Sequence, residues 1–201
     1  MLDETTQLTT NINRLQPVWL GLSKTAKLVS MCPPHPAALA PEKLLAACDT
    51  RRLRRSGPGG QHRNKVETAV VLTHRPTGIS AQASERRSQS ANQRRALFRL
   101  RIELALHVRR PVDAAEHRHS SGRWQARIRG GRISVNTGHE DFPALVAEAL
   151  DILDAAEFDF SAVARQLQVT SSQLGKFLKL EPVVWQLVSA ERQKRGLRPL
   201  K

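Results

Sequence analysis

The architecture turns on Ser56-Gly-Pro-Gly-Gly-Gln-His-Arg-Asn-Lys-Val-Glu-Thr-Ala-Val-Val-Leu-Thr-His-Arg-Pro-Thr-Gly-Ile79. Its first half sets three glycines around one proline. That composition excludes helix and central strand and lets backbone approach a ligand closely, so Ser56 to Gly60 reads as a backbone-presenting loop. Its second half opens with Thr68 to Thr73, rich in β-formers, turns at Pro76-Thr-Gly78 and returns along the alternating run Ile79 to Ala83. A hairpin is expected there, with a basic strand from Thr50 ahead of the loop. Downstream, Ser88 or Ser90 caps a helix to about Arg109, in which Leu97, Leu100, Leu104 and Val108 recur at three- and four-residue spacing. The opposite face of that helix is assigned to Arg94, Arg95, Arg99 and Arg101. Hairpin and amphipathic helix together make an α+β unit spanning 40–110.

Outward from this unit, 1–39 mixes Thr, Asn and Gln with Pro33, Pro34 and Pro36 and reads as a flexible leader, with a short helix bridging Trp19 to Val29. Pro41 opens a helix carrying Leu44, Leu45 and Ala47 toward Cys48 and ending near Asp49. Residues 111–141 read as a basic connector and hairpin. Arg123, Arg127 and Arg129 take one face of a strand, Trp124, Ala126 and Ile128 the other, and Gly130-Gly131 turns the chain into Arg132 to Val135. Residues 142–201 read as a small helical domain. Pro143 to Phe158 places Leu145, Ala149, Ile152, Leu153 and Ala156 on one stripe. Val163 to Leu178 then looks like a helix-turn-helix, with Ala164 at the crossing, Gln168 where a turn glycine usually sits, Thr170 or Ser171 capping, and Leu174 and Leu178 inward.

The chain of 201 residues suits one compact domain with an appendage or two small ones, which excludes a large multidomain enzyme. Its net charge of +14 is concentrated: 51–132 carries 20 cations and five acids, whereas 1–50 is balanced and 133–201 stands at −1. Of the 32 cations 24 are Arg, whose planar fork suits phosphate. Nucleic acid is the expected partner, met by the middle of the chain. Cys32 and Cys48 make no disulfide scaffold and no paired zinc spacing. No apolar run approaches a membrane span, and the first residues resemble no secretory signal, so a cytoplasmic protein without membrane contact is expected.

The glycine loop lacks the Gly-Lys-[Ser/Thr] ending of an ATP-binding loop and the spacing of a dinucleotide fingerprint. The acids nearest to it, Asp49 and Glu67, have no Ser–His or Cys–His partner at recognisable spacing. His107, His117, His119 and His139 fit no metal signature and read as polar connector residues. Trp124 and Trp185 read as core anchors.

The run Ser56 to Ile79, followed by Glu85-Arg-Arg-Ser-Gln89 and Asn92, closely resembles the catalytic domain of class I peptide chain release factors and of the related codon-independent rescue hydrolases, over about residues 45–108. The resemblance implies hydrolysis of the ester between nascent peptide and tRNA in the ribosomal peptidyl transferase centre. It implies that the Gln61 backbone N–H donates to the developing oxyanion or departing ribose oxygen, that the Gln61 side chain screens the nucleophile, and that Gly59 and Gly60 grant the conformation. Neither metal nor other cofactor is called for. Partners are large-subunit rRNA and peptidyl-tRNA, engaged by a monomer through Arg54, Arg55, His62, Arg63, Asn64, Lys65, Arg86 and Arg87, with Ser88 and Gln89 ordering the loop's base and Arg94, Arg95 and Arg99 tracking phosphate. Full-length release factors carry a codon-reading domain ahead of the catalytic one. Here about 40 residues precede it, so release independent of the codon is expected. The short rescue hydrolases end in a basic tail, which only Arg192 to Arg198 with Lys201 imitates. The alternative reading is a non-enzymatic RNA- or DNA-binding regulator that uses the helix-turn-helix.

Overall fold

The computed structural model describes residues 34–54, 68–111 and 120–199. The expected helix from Trp19 to Val29 and the loop from Ser56 to Gly60 lie outside them. After a single 3-10 turn at Pro36–Ala38 come helix α1 (Pro41–Ala46) and three strands, β1 (Cys48–Leu53), β2 (Ala69–His74) and β3 (Ser80–Ala83). They form one antiparallel sheet in the order β1-β2-β3. The register sets Cys48 opposite His74 and Leu53 opposite Ala69 across β1 and β2, and Val70 opposite Ala83 across β2 and β3. Pairing fixes the faces: Val70, Leu72 and His74 point inward, as does Ala83, and all four are buried.

Helix α2 (Gln89–His107) covers β2 and β3 but not β1, whose residues after Cys48 are all exposed. Ser88 caps it, its hydroxyl accepting from the Ala91 N–H. Ala96, Leu97, Leu100 and Leu104 fill the space above the sheet. One expectation is overturned: Arg101 is not on an outer cationic face but 7% exposed, donating to the carbonyls of Ala37 and Glu140, each at 2.8 Å. It follows Leu97 by four residues and precedes Leu104 by three, so it shares their stripe. α2 is buried on a second side as well, because helix α4 (Phe142–Ala155) and the turn at Pro36–Ala38 pack against it.

The segment expected as a strand from Arg123 to Arg129 is also different. Gly122–Arg127 is helix α3, capped by Ser121, and only Ile128–Arg129 (β4) pairs with Arg132–Ile133 (β5). Trp124 decides this: it is fully buried, donates from its indole N–H to the Leu167 carbonyl at 2.9 Å and meets Phe177 edge to face at 5.3 Å. Ala126, which alternation would have buried, is exposed. The Gly130-Gly131 turn forms as expected, with φ +55° and +71°.

α4 is the axis of the C-terminal half and buries Leu145, Val146, Leu150, Ile152 and Leu153. It stops at Ala155 and does not reach Phe158, because Glu157 and Phe158 take positive φ (48° and 62°). Asp159 then caps α5 (Phe160–Gln166) and Thr170 caps α6 (Ser171–Lys179), with Gln168 at φ 56° in the turn between them, and α7 (Pro182–Lys194) closes the set. Ala164, Leu174 and Leu178 are buried as expected. One continuous apolar cluster runs from Ala37 through the sheet and α2 to Val188. No helix among the described residues is long and apolar enough to cross a membrane.

The end of α2 is held by buried polar groups. Arg109 turns back onto the carbonyls of Ala105, Leu106 and Val108. His35 accepts the Ala37 N–H at Nδ1, which leaves Nε2–H to donate to the Val108 carbonyl at 3.2 Å; Asp151 accepts the Arg110 N–H at 3.1 Å. Burial lowers the His35 pKa to about 4 and raises that of Asp151 to about 7. The signs oppose. The folded state holds a proton on Asp151 that the unfolded chain, with its carboxyl near 3.8, has lost, so the Asp151 contribution is present below 3.8 and is lost as pH rises to about 7. The His35 contribution is present above 6.5 and is lost as pH falls toward 4. Asp151→Asn keeps the acceptor and removes the carboxyl titration. Urea midpoints of variant and parent should therefore diverge in the variant's favour as pH is raised from about 4 to about 7, and a constant difference would refute this assignment.

Candidate functional site

Of the residues expected to carry chemistry or RNA contact, Arg55, Gly59, Gly60, Gln61, His62, Arg63, Asn64 and Lys65 lie outside the described residues. The flanks of that segment are well placed. β1 and β2 stay paired up to Leu53 opposite Ala69, so the chain leaves and returns at neighbouring positions about 5 Å apart. Arg54 is exposed at the departing flank.

The returning flank is tied to the start of α2 by Asn92. This side chain is fully buried, and its amide Nδ2 donates to the carbonyls of Thr68 (2.7 Å) and Arg86 (2.8 Å) while Oδ1 accepts the Arg86 N–H (2.9 Å). One amide thus joins the root of the loop, the bend at residues 84–88 and the helix. Only the resemblance had drawn attention to Asn92, and no role was attached to it. The available signal was its position: four residues before Ala96 and eight before Leu100, a polar residue on an apolar stripe.

Around this knot gather the expected contact residues. Arg86, Arg87, Ser88, Arg94 and Arg95 are exposed and Gln89 is half-buried. The Ser88 hydroxyl lies 2.8 Å from that of Ser90 as well as capping the helix, so it orders this bend. Arg94 and Arg95 meet no carboxylate among the described residues, and the nearby helix N-terminus adds positive potential. Arg99 differs: it donates to the Gln82 carbonyl at 2.8 Å and pairs with Glu85. Glu85 also accepts the Ser84 N–H, and its carboxyl is held below the usual range chiefly by its own backbone N–H, against the opposing effect of burial and with Arg99 adding to the lowering. Arg99 therefore clamps the end of β3 to α2. Two cations not singled out from sequence, Arg51 and Arg52, stand exposed on opposite faces of β1. Arg51, Arg52, Arg54, Arg86, Arg87, Arg94 and Arg95 thus stand exposed on β1, on the bend and on the first turns of α2.

Residues 46–138 match the family model of the RF-1 domain. The chain is 41% identical over 98 residues to the chloroplastic peptide chain release factor PrfB1 of Arabidopsis thaliana, an alignment covering 43% of this chain and 22% of that protein. It is 44% identical over 63 residues to peptide chain release factor 1 of Xylella fastidiosa (31% of this chain, 18% of the relative) and 35% identical over 85 residues to that of Rhodospirillum rubrum (42% and 21%). The chain thus spans about a fifth of the length of these relatives. No solved structure matches it significantly.

Replacing Asn92 with Leu keeps the volume but strands two carbonyls and one N–H in the interior. A loss of about 1–3 kcal/mol in unfolding free energy is expected from urea titration, and a change near zero would mean that water reaches the site.

Proposed function

Residues 46–138 belong to the family of class I release factor catalytic domains, and from that premise we propose that the chain hydrolyses the ester of peptidyl-tRNA in the ribosomal peptidyl transferase centre, whatever codon stands in the decoding site. The observation that carries this reading is the coincidence of the matched segment with Gly59-Gly60-Gln61. Water attacks the ester carbonyl, the bond from that carbon to the ribose oxygen breaks, and the proton passes to the departing ribose. The Gln61 backbone N–H stabilises the negative charge that develops on oxygen, and because a backbone donor is already oriented, little reorganisation is needed. Gly59 and Gly60 supply torsions that a side chain would resist. The Gln61 side chain keeps the nucleophile to one approach.

Arg54, Arg86, Arg87, Arg94 and Arg95, with Arg55, His62, Arg63, Asn64 and Lys65 of the intervening segment, hold large-subunit rRNA and the tRNA end, while Ser88 and Gln89 keep the bend in order. Independence of the codon is supported by the likeness of Ser56 to Ile79 to the codon-independent rescue hydrolases as well as to the release factors. The helices from Phe142 onward, whose sequence carries slightly more acid than base, serve as a docking body. The protein acts as a monomer in the cytoplasm.

Release of labelled peptide from purified ribosomes tests the proposal. Gly60→Ala should abolish release while ribosome binding persists, because it obstructs backbone torsion and leaves the cations untouched. Gln61→Ala should retain measurable release. Ribosomes programmed with a stop codon, a sense codon or a truncated message should release peptide equally well; a strong preference for stop codons would overturn the codon-independent part alone.

A further inference from the structure

The small hairpin β4–β5 has a polarity that the fold itself does not use. Ile128 stands opposite Ile133 and Arg129 opposite Arg132. The two isoleucines pack against the apolar core, so the strand pleat sends both guanidinium groups to the other face, where both arginines are exposed. Directly opposed side chains on such a pair start about 5 Å apart, and like charges there destabilise the pairing. This ladder has only two residue pairs with which to resist that repulsion. No acid occurs between Ser120 and Val135. Asp141, downstream of the hairpin, is already occupied by Arg127 at 2.8 Å, His139 at 3.6 Å and Arg123 at 3.8 Å. Among the described residues neither Arg129 nor Arg132 has an anionic partner.

We propose that the β4–β5 hairpin is a separate RNA-binding surface, in which Arg129 and Arg132 together grip the phosphodiester backbone. Two planar forks projecting side by side from a tight turn match the oxygens of neighbouring phosphates, and a bound phosphate relieves the repulsion between them. Gly130 and Gly131 fix the aim of the pair: both take positive φ, the geometry of a tight two-residue turn, and neither adds a side chain that would screen the arginines. The choice of RNA as the polyanion rests on the function proposed above, whereas the phosphate contact itself does not.

The full-length chain is titrated by fluorescence anisotropy onto a short labelled RNA stem-loop over a range of salt. Arg129→Ala/Arg132→Ala should lower the slope of log affinity against log salt by about 1.5, weakening binding roughly tenfold near physiological salt, because two phosphate contacts no longer release counterions. Arg129→Lys/Arg132→Lys should restore most of the slope. Lys43→Glu, which changes the net charge by the same two units at an exposed position on α1, should leave it unchanged. An unaltered slope for the hairpin variant, or an equal fall in the control, would overturn the proposal; so would a loss confined to duplex DNA of the same sequence. Peptide release by the parent protein, measured alongside, reports on the catalytic reading independently of this result.

Discussion

A long helix buried on two sides organises this molecule. α2 gives one stripe to the sheet and another to α4 and the turn at Pro36–Ala38, so the α+β part and the helical part share a wall and their apolar residues merge into one cluster. Arg101, on the stripe of Leu97 and Leu104, reaches from α2 toward that second wall. Burial lowers its pKa, yet the guanidinium stays satisfied because two backbone carbonyls, Ala37 and Glu140, meet it from different segments. A leucine there would fill space, but only a multidentate donor can draw in two chain segments at once.

Much of this was legible in the residues, for identifiable reasons. The β2–β3 hairpin follows from a run of β-formers and a Pro-Thr-Gly turn, the start of α2 from Ser88, and the Gly130-Gly131 reversal from two residues that tolerate positive φ. These are local signals, and local geometry satisfies them. The misreadings have two different sources. Arg101 reads as outward only when charge is equated with exposure; its spacing from Leu97 and Leu104 already puts it inward. Arg123 to Arg129 alternates as a strand would, but the deep site formed by Leu167 and Phe177 captures Trp124 and bends the segment into helix α3. Nothing in the alternation encodes that pocket.

The candidate site shows the same division. The glycine segment and its cations are conspicuous in composition, and the family match to residues 46–138 includes them. What composition did not disclose is how the two ends of the segment are secured. Strand pairing holds one pair of positions together, and the Asn92 amide holds the return end to the helix. Such a scaffold concentrates rigidity at the boundary of a glycine-rich stretch, which is where residues with wide torsional freedom most need it. Arg99 illustrates the limit of reading charge alone, since one guanidinium among several similar ones serves the scaffold through Gln82 and Glu85.

Among the described residues β1 has a neighbour on only one side, and a half-paired strand is a template on which a second copy of a chain can extend the sheet. In this molecule the middle of that edge is occupied by Arg51 and Arg52, exposed on opposite faces, with Leu53 at 44% exposure beside them. Pairing another β1 alongside would bring two guanidinium groups together on each face of the extended sheet, a repulsion that discourages self-assembly. The strand therefore carries its own guard against aggregation, written into the same arginine-rich stretch that gives this part of the surface its charge.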